Sequence, residues 1–182
     1  MSIPVLQHPK LARTDDPPSF PEPRVEVVHG VIAGTFSIIP AGVILHGTRS
    51  GQSYSTEQEY QATLNYVRAG AAGLGWNVTI GERSIALHMT PRYYGWNARH
   101  HSSVHLAVEF AQANLGDPIS DQQIYNFCYW FETIARESWP QLPPAFPYHS
   151  ELPAGIGDGK TDPEPRGEHG IRDRILAQIG VP

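Results

Sequence analysis

The chain has a single cysteine among its 182 residues, so no disulfide can form within it. Maturation in an oxidising compartment is therefore not required. Cys128 lies in the apolar stretch 127–131, in a helix-like pattern where cysteine usually packs as a small hydrophobic side chain. The sequence predicts a buried structural thiol at this position, and a catalytic thiol is the less favoured alternative.

Long apolar runs and an excess of positive charge are also missing. No run of about 18 apolar residues occurs, which predicts that the chain has no transmembrane helix. Its 13 Lys and Arg against 18 Asp and Glu give a net charge of -5. This charge balance argues against a basic surface that binds nucleic acid. Residues 1–24 lack a basic region followed by an apolar core, so we expect synthesis in the cytoplasm without a signal peptide.

Proline is concentrated at the N-terminus, where it removes amide donors and blocks helix interiors. Six prolines fall within residues 1–24, and we expect an irregular, extended segment there. Residues 25–182 carry no repeat or low-complexity tract, and the hydrophobic content of 40% is sufficient for one buried core. The sequence therefore predicts a Pro-rich extension over 1–24 and a single domain over 25–182, which we expect to be a monomer.

Two capping boxes predict two helices. Ser55 with Gln58 begins a helix that ends at Gly70 or Gly73. Ser120 with Gln123 begins another, whose apolar stripe continues to a stop before Pro140. A third helix is predicted over about 168–179. Strands are predicted from about residue 25, at 43–46 as the first buried strand, and at 76–80, 84–89 and 104–110.

Three side chains are candidate metal ligands. His46 ends the apolar run 43–45, and His149 precedes Asp162 near the C-terminus. Two imidazoles and one carboxylate can bind a zinc ion and leave a position for water, whose pKa the ion lowers to about 7. Lys160 precedes Asp162 by two residues, so its cation is expected near the metal, where it can stabilise an oxyanion.

Glu109 is a candidate catalytic carboxylate. In the strand 104–110 the residues Val108 and Phe110 share one face, and Ala107 and Glu109 lie on the other. Burying an unpaired charge is energetically unfavourable, so a carboxylate between apolar neighbours indicates a functional role. The alternative is that this face of the strand is simply solvated.

His100, His101 and His105 present a second, less favoured metal hypothesis. Two histidines four residues apart on a helix can share an ion. The sequence has no His-Glu-x-x-His motif, and His105 lies in a segment that alternates as a strand. The pattern therefore argues against a metal site here.

Four segments resemble the zinc-dependent N-acetylmuramoyl-L-alanine amidase family, which includes phage endolysins and is related to the peptidoglycan recognition proteins. They are Val-Ile-Leu-His-Gly-Thr at 43–48, Gly-Trp-Asn-Ala-Arg at 95–99, the strand 103–110 and the block 149–162. The resemblance covers roughly residues 25–180. It implies an α/β fold with a central mixed β-sheet flanked by helices, zinc ligands at His46, His149 and Asp162, and catalytic roles for Glu109 and Lys160.

Departures from the family pattern concern residues expected near the substrate. Where family members often have histidine, this chain has Asn77 after Trp76 and Asn97 after Trp96. Asparagine forms hydrogen bonds but does not titrate near neutral pH. We predict that these four residues contact substrate. Trp76 cannot supply the tyrosine hydroxyl that some relatives use, which favours Glu109 as the base.

The resemblance implies a function and a cofactor. We expect zinc-dependent hydrolysis of the amide between N-acetylmuramic acid and L-alanine, with peptidoglycan or a muropeptide as the partner, acting on the cell wall if the protein is a lysin. A cytoplasmic muropeptide-recycling amidase is an alternative. A non-catalytic peptidoglycan-binding module is less favoured, because such relatives typically lose a metal ligand and this chain keeps His46, His149 and Asp162.

Overall fold

A computed structural model describes residues 20–114, 116–157, 161–163 and 170–181. Five strands form a central sheet: β1 (Arg24–Val27), β3 (Val43–Gly47), β4 (Val78–Ile80), β5 (Ser84–Leu87) and β7 (Leu106–Phe110). Their order across the sheet is β1-β5-β4-β7-β3. β1 pairs parallel with β5, β5 antiparallel with β4, and β4, β7 and β3 are all parallel. The predicted mixed sheet flanked by helices is therefore confirmed.

Both capping boxes occur as predicted. Ser55 caps α1 (Thr56–Arg68), and Ser120 caps α2 (Asp121–Trp130). In each, the serine backbone N–H in turn donates to the side chain of the third helical residue, Gln58 or Gln123. The second helix then passes through a π-helical turn, Phe131–Ala135, into α3 (Arg136–Ser138). The π turn was not predicted, because a single wide turn barely disturbs the spacing of the apolar stripe.

The two faces of the sheet bury different helices. Side chains of Leu106, Val108 and Phe110 belong to the larger core, together with α2 and α5 (Ile171–Gln178). On the other face Ala107 packs with residues of α1 in a smaller core. The smaller core leaves part of its face open, and the site described below lies there.

Short elements complete the fold. β2 (Gly34–Thr35) and β6 (Tyr93–Tyr94) form a two-stranded antiparallel sheet, and α4 (Pro153–Gly157) follows His149. The sequence did not predict them, since elements of two to five residues show no periodicity. Residues 1–19, most of the predicted extension, lie outside the described part of the chain. Within the described part no helix is long and apolar enough to span a membrane.

Candidate active site

Backbone pairing on both edges of β3 brings His46 and His149 together. One edge pairs with β7. On the other edge the amides of Val43 and Leu45 donate to the carbonyls of Ala145 and Pro147, each at 2.9 Å. His46 and His149 directly follow these paired segments, and their ring centroids are 4.4 Å apart. Distant parts of the sequence are thus joined by sheet hydrogen bonds rather than by a local motif.

Asp162 completes the cluster. Its Oδ2 lies 3.4 Å from His46 Nδ1 and 3.3 Å from His149 Nδ1. The amide of Ser150 donates to the carbonyl of Asp162 at 3.3 Å, which fixes the acidic residue beside the turn that carries His149. All three side chains are buried, and their potential ligand atoms lie within 4.8 Å of one another.

The electrostatics of the cluster favour an ionised carboxylate. Burial alone raises the pKa of Asp162, but hydrogen bonds from His149 and His46 and the attraction of their protonated rings outweigh it. The pKa of Asp162 is therefore held well below its usual range. Metal binding requires Asp162 in this ionised form and both imidazoles in the neutral form.

The three residues fit a divalent metal such as zinc. Two histidines and one carboxylate are a common catalytic zinc set. Tetrahedral zinc with bonds of about 2.0–2.1 Å separates its ligand atoms by roughly 3.3–3.4 Å. The observed distances from Asp162 Oδ2 to the two Nδ1 atoms match that spacing.

Glu109 lies beside this cluster because of strand register. β3 and β7 pair so that Glu109 is opposite His46, and its Oε1 is 3.9 Å from His46 Nδ1. Its side chain is 15% exposed. Leu106, Val108 and Phe110 are buried in the larger core on the other face, as the predicted alternation requires. The carboxylate therefore faces a partly dry site rather than open solvent.

A cleft of about 450 Å³ opens over these side chains. Its size falls within the range usual for small-molecule sites. Sequence reasoning did not single out five of its residues, which have no spacing that marks them: Thr48, Arg49, Tyr66, Leu74 and Thr161. The other lining residues are His46, Gly47, Trp76, Asn97, Glu109, His149 and Asp162.

Two of the four predicted substrate-contacting residues line the cleft, namely Trp76 and Asn97. The Asn97 side-chain amide donates to the carbonyls of Gly75 at 3.0 Å and Gly95 at 3.2 Å. These bonds join two chain segments at the cleft wall. Asn97 thus combines a position facing the cleft with a role in shaping it.

Asn77 and Trp96 do not line the cleft. Asn77 is 1% exposed, and its amide donates to the Tyr93 carbonyl at 2.9 Å and accepts from the Ala107 amide at 3.0 Å. These contacts favour a structural role, in which Asn77 links β4 to β7. Trp96 is 47% exposed and packs edge-on against Tyr94 outside the cleft. Direct substrate contact by either residue stays a prediction.

A series of buried hydrogen bonds holds the indole of Trp76 in place. The carbonyl of Val28 can only accept, so His88 Nδ1, at 2.7 Å, carries the proton and Nε2 accepts from the Thr79 hydroxyl at 2.8 Å. Thr79 in turn accepts from Trp76 Nε1 at 2.8 Å. Burial, partly opposed by the Val28 bond and the charge of Glu26, lowers the pKa of His88 to about 4. All donors and acceptors in this series of hydrogen bonds are paired only when His88 is neutral.

This series of hydrogen bonds predicts that His88 stabilises the folded protein at neutral pH but not in acid. The pKa of His88 is near 6.5 in the unfolded state and about 4 in the folded state. Its contribution to the free energy of unfolding is therefore complete above pH 6.5 and is lost as the pH falls to 4. At pH 4.5 the loss should be ~2–3 kcal/mol. In urea denaturation with a chelator present, His88→Gln should lose that much less stability than wild type between pH 7 and 4.5. The exposed His29→Gln variant should follow wild type, and identical pH dependence of His88→Gln would refute the assignment.

The remaining predictions concern residues away from the cleft or outside the described chain. Lys160 lies outside the described residues. His100 and His101 lie in a 3₁₀ helix, Arg99–Ser103, and the His105 amide donates to the His101 carbonyl at 3.1 Å, with the His101 and His105 ring centroids 6.1 Å apart. Among the described residues the His46, His149 and Asp162 group is the one with metal-binding geometry. Cys128 is fully buried, and burial raises its pKa, as expected of a structural thiol.

Comparison with known proteins places the fold. No family model and no curated protein matches the sequence. Solved structures do match. The hydrolase AmiA of Staphylococcus aureus, in complex with its ligand, is 14% identical over 88% of this chain and 87% of its own, with a TM-score of 0.56. The N-acetylmuramoyl-L-alanine amidase LysC from Clostridium intestinale is 13% identical over 88% and 99%, with a TM-score of 0.55.

A third match extends the comparison to a recognition protein. Drosophila peptidoglycan recognition protein SA is 14% identical over 71% of this chain and 82% of its own, with a TM-score of 0.53. At these identities the likeness concerns the fold. The chain therefore shares its mixed-sheet architecture with these three structures.

Proposed function

We propose that the protein is a zinc-dependent amidase that hydrolyses the bond between N-acetylmuramic acid and L-alanine in peptidoglycan. The observation that carries the proposal is the buried group of His46, His149 and Asp162 at the floor of a cleft, with Glu109 beside it. Two imidazoles, a metal-ligating carboxylate and a second carboxylate that is not needed as a ligand are what a single-metal hydrolase requires.

The residues of the site would have separate roles in the hydrolysis. A zinc ion held by His46, His149 and Asp162 would polarise the scissile carbonyl and activate water. Glu109 would accept the proton of the attacking water and return it to the leaving amine, for which its place beside His46 is suitable. Lys160, two residues before Asp162, would stabilise negative charge on the carbonyl oxygen.

Structural neighbours support the choice of substrate. One neighbour is named as a hydrolase and another as an N-acetylmuramoyl-L-alanine amidase. One neighbour is named as a peptidoglycan recognition protein, and binding without catalysis is the less favoured alternative function. Cleavage of soluble muropeptides rather than intact wall is the other alternative, and it uses the same chemistry.

The test is digestion of purified peptidoglycan by zinc-loaded protein, with the new ends identified by mass spectrometry. The proposal expects free L-alanine amino termini and intact glycan strands. Binding without new ends would support the recognition module, and cleavage confined to soluble muropeptides would support the recycling enzyme. New reducing ends on the glycan would contradict an amidase.

A further inference from the structure

Arg49 is a cleft residue for which the proposed chemistry has no use. Among the described residues that line the cleft, it is the one with a permanent positive charge. It comes three residues after His46, at the exit of β3. Its guanidinium Nη1 donates to the Thr161 hydroxyl at 2.6 Å, and Thr161 immediately precedes Asp162. The cation is therefore held next to the metal-ligand cluster.

The backbone at Arg49 is fixed in an unfavourable conformation. Its φ of 51° lies in the left-handed region, which side chains other than glycine rarely adopt. The flanking chain holds it there: the amides of Thr48, Arg49 and Gly51 donate to carbonyls of residues 110, 112 and 113 at 2.7–3.0 Å. Such conformations persist only where surrounding contacts impose them, and they are frequent at functional sites.

A buried carboxylate reinforces this loop. Glu59 of α1 is 1% exposed and accepts from the Thr48 hydroxyl at 2.6 Å and the Ser50 amide at 3.0 Å, with a further short bond from the Ser50 hydroxyl. Residues on both sides of Arg49 are thus tied to the helix. The guanidinium is presented by a rigid segment, which favours binding because little ordering remains to be done.

The unused donors of Arg49 have a particular arrangement. Nε and Nη2 are buried, and neither has a hydrogen-bond partner among the described residues. These two N–H groups lie on the same side of the guanidinium and point in parallel, which is the geometry that receives both oxygens of a carboxylate. Leaving them buried without an acceptor is unfavourable.

We propose that Arg49 binds a carboxylate of the peptide in the cleft, close to the scissile amide. To receive the ligand, the guanidinium would rotate about its bond to Thr161 until the Nε and Nη2 pair faces the cleft. The inference rests on the proposed function, since it takes a muropeptide as the ligand. Arg49 would then be a specificity residue that distinguishes a peptide with a carboxylate from its carboxamide counterpart.

A matched pair of ligands tests this. N-acetylmuramoyl-L-alanyl-D-glutamate and the corresponding D-isoglutamine compound differ by one carboxylate that becomes a carboxamide. Calorimetry with metal-free protein measures binding without turnover. Wild type should bind the carboxylate ligand about 10- to 100-fold more tightly, the usual size of a charge-assisted hydrogen bond. Arg49→Gln, which keeps a Cβ at the strained position, should bind the two ligands equally.

The control is Arg68→Gln, which removes one charge from the end of α1, where Arg68 bonds only Asn65 among the described residues. It should keep the wild-type preference. A preference that survives in Arg49→Gln, an equal loss for both ligands, or no preference in wild type would each overturn the inference. Zinc-loaded protein separates the two hypotheses: a binding preference without cleavage would reject the amidase alone, and cleavage without preference would reject the role of Arg49 alone.

Discussion

Replacing Asp162 with alanine is expected to remove the metal from the protein and nearly all of the activity. Asp162 is the only carboxylate in the proposed ligand set, and its Oδ2 lies 3.3–3.4 Å from both imidazoles. Two neutral imidazoles alone hold zinc weakly at a site built for three ligands. Elemental analysis should show the content fall from about one zinc per chain to a small fraction. Turnover should fall by more than the ~10²–10³-fold that loss of one oxyanion donor costs.

Two further variants make this result interpretable. Asp162→Asn keeps the shape of the side chain but not its charge, so it should also lose zinc while circular dichroism shows an intact fold. Asp121→Ala removes a carboxylate that is 77% exposed and pairs with Arg174 at the surface. Exposed pairs contribute little, so this variant should keep its metal and activity. Full zinc and full activity in Asp162→Ala would remove Asp162 from the site.

Replacing Glu109 with glutamine is expected to separate catalysis from metal binding. Glutamine has nearly the same shape as glutamate but cannot accept a proton at neutral pH, so the variant should lose general-base catalysis. Turnover should fall by roughly 10²–10⁴-fold with zinc content unchanged. Steady-state rates on a soluble muropeptide, measured with elemental analysis of the same sample, provide the check.

The matched control is Glu57→Gln in the first turn of α1, where the carboxylate bonds Gln61. It should retain the wild-type rate, which shows that loss of a carboxylate elsewhere is harmless. Near wild-type turnover in Glu109→Gln would show that Glu109 is not the general base. Loss of zinc together with activity would instead make Glu109 a support of the metal site.

Local patterns in the sequence were sufficient for most of the regular structure. The Ser55 and Ser120 capping boxes placed the starts of two helices, because capping depends on residues within one turn. Alternation in β7 placed Glu109 on the face opposite Val108, because side-chain direction along a strand has a period of two. Proximity of His46, His149 and Asp162 was implied only by resemblance, since no local rule relates residues so far apart.

Tertiary structure decided what surrounds those residues. Pairing of the segment before His149 with the free edge of β3, and the register of β3 with β7, set the geometry of the cluster and the place of Glu109. Asn77 and Asn97 have the same residue type, yet only Asn97 lines the cleft. Arg49 had no signal at all in the sequence. Its role depends on backbone hydrogen bonds and buried donors, which arise only when distant segments pack together.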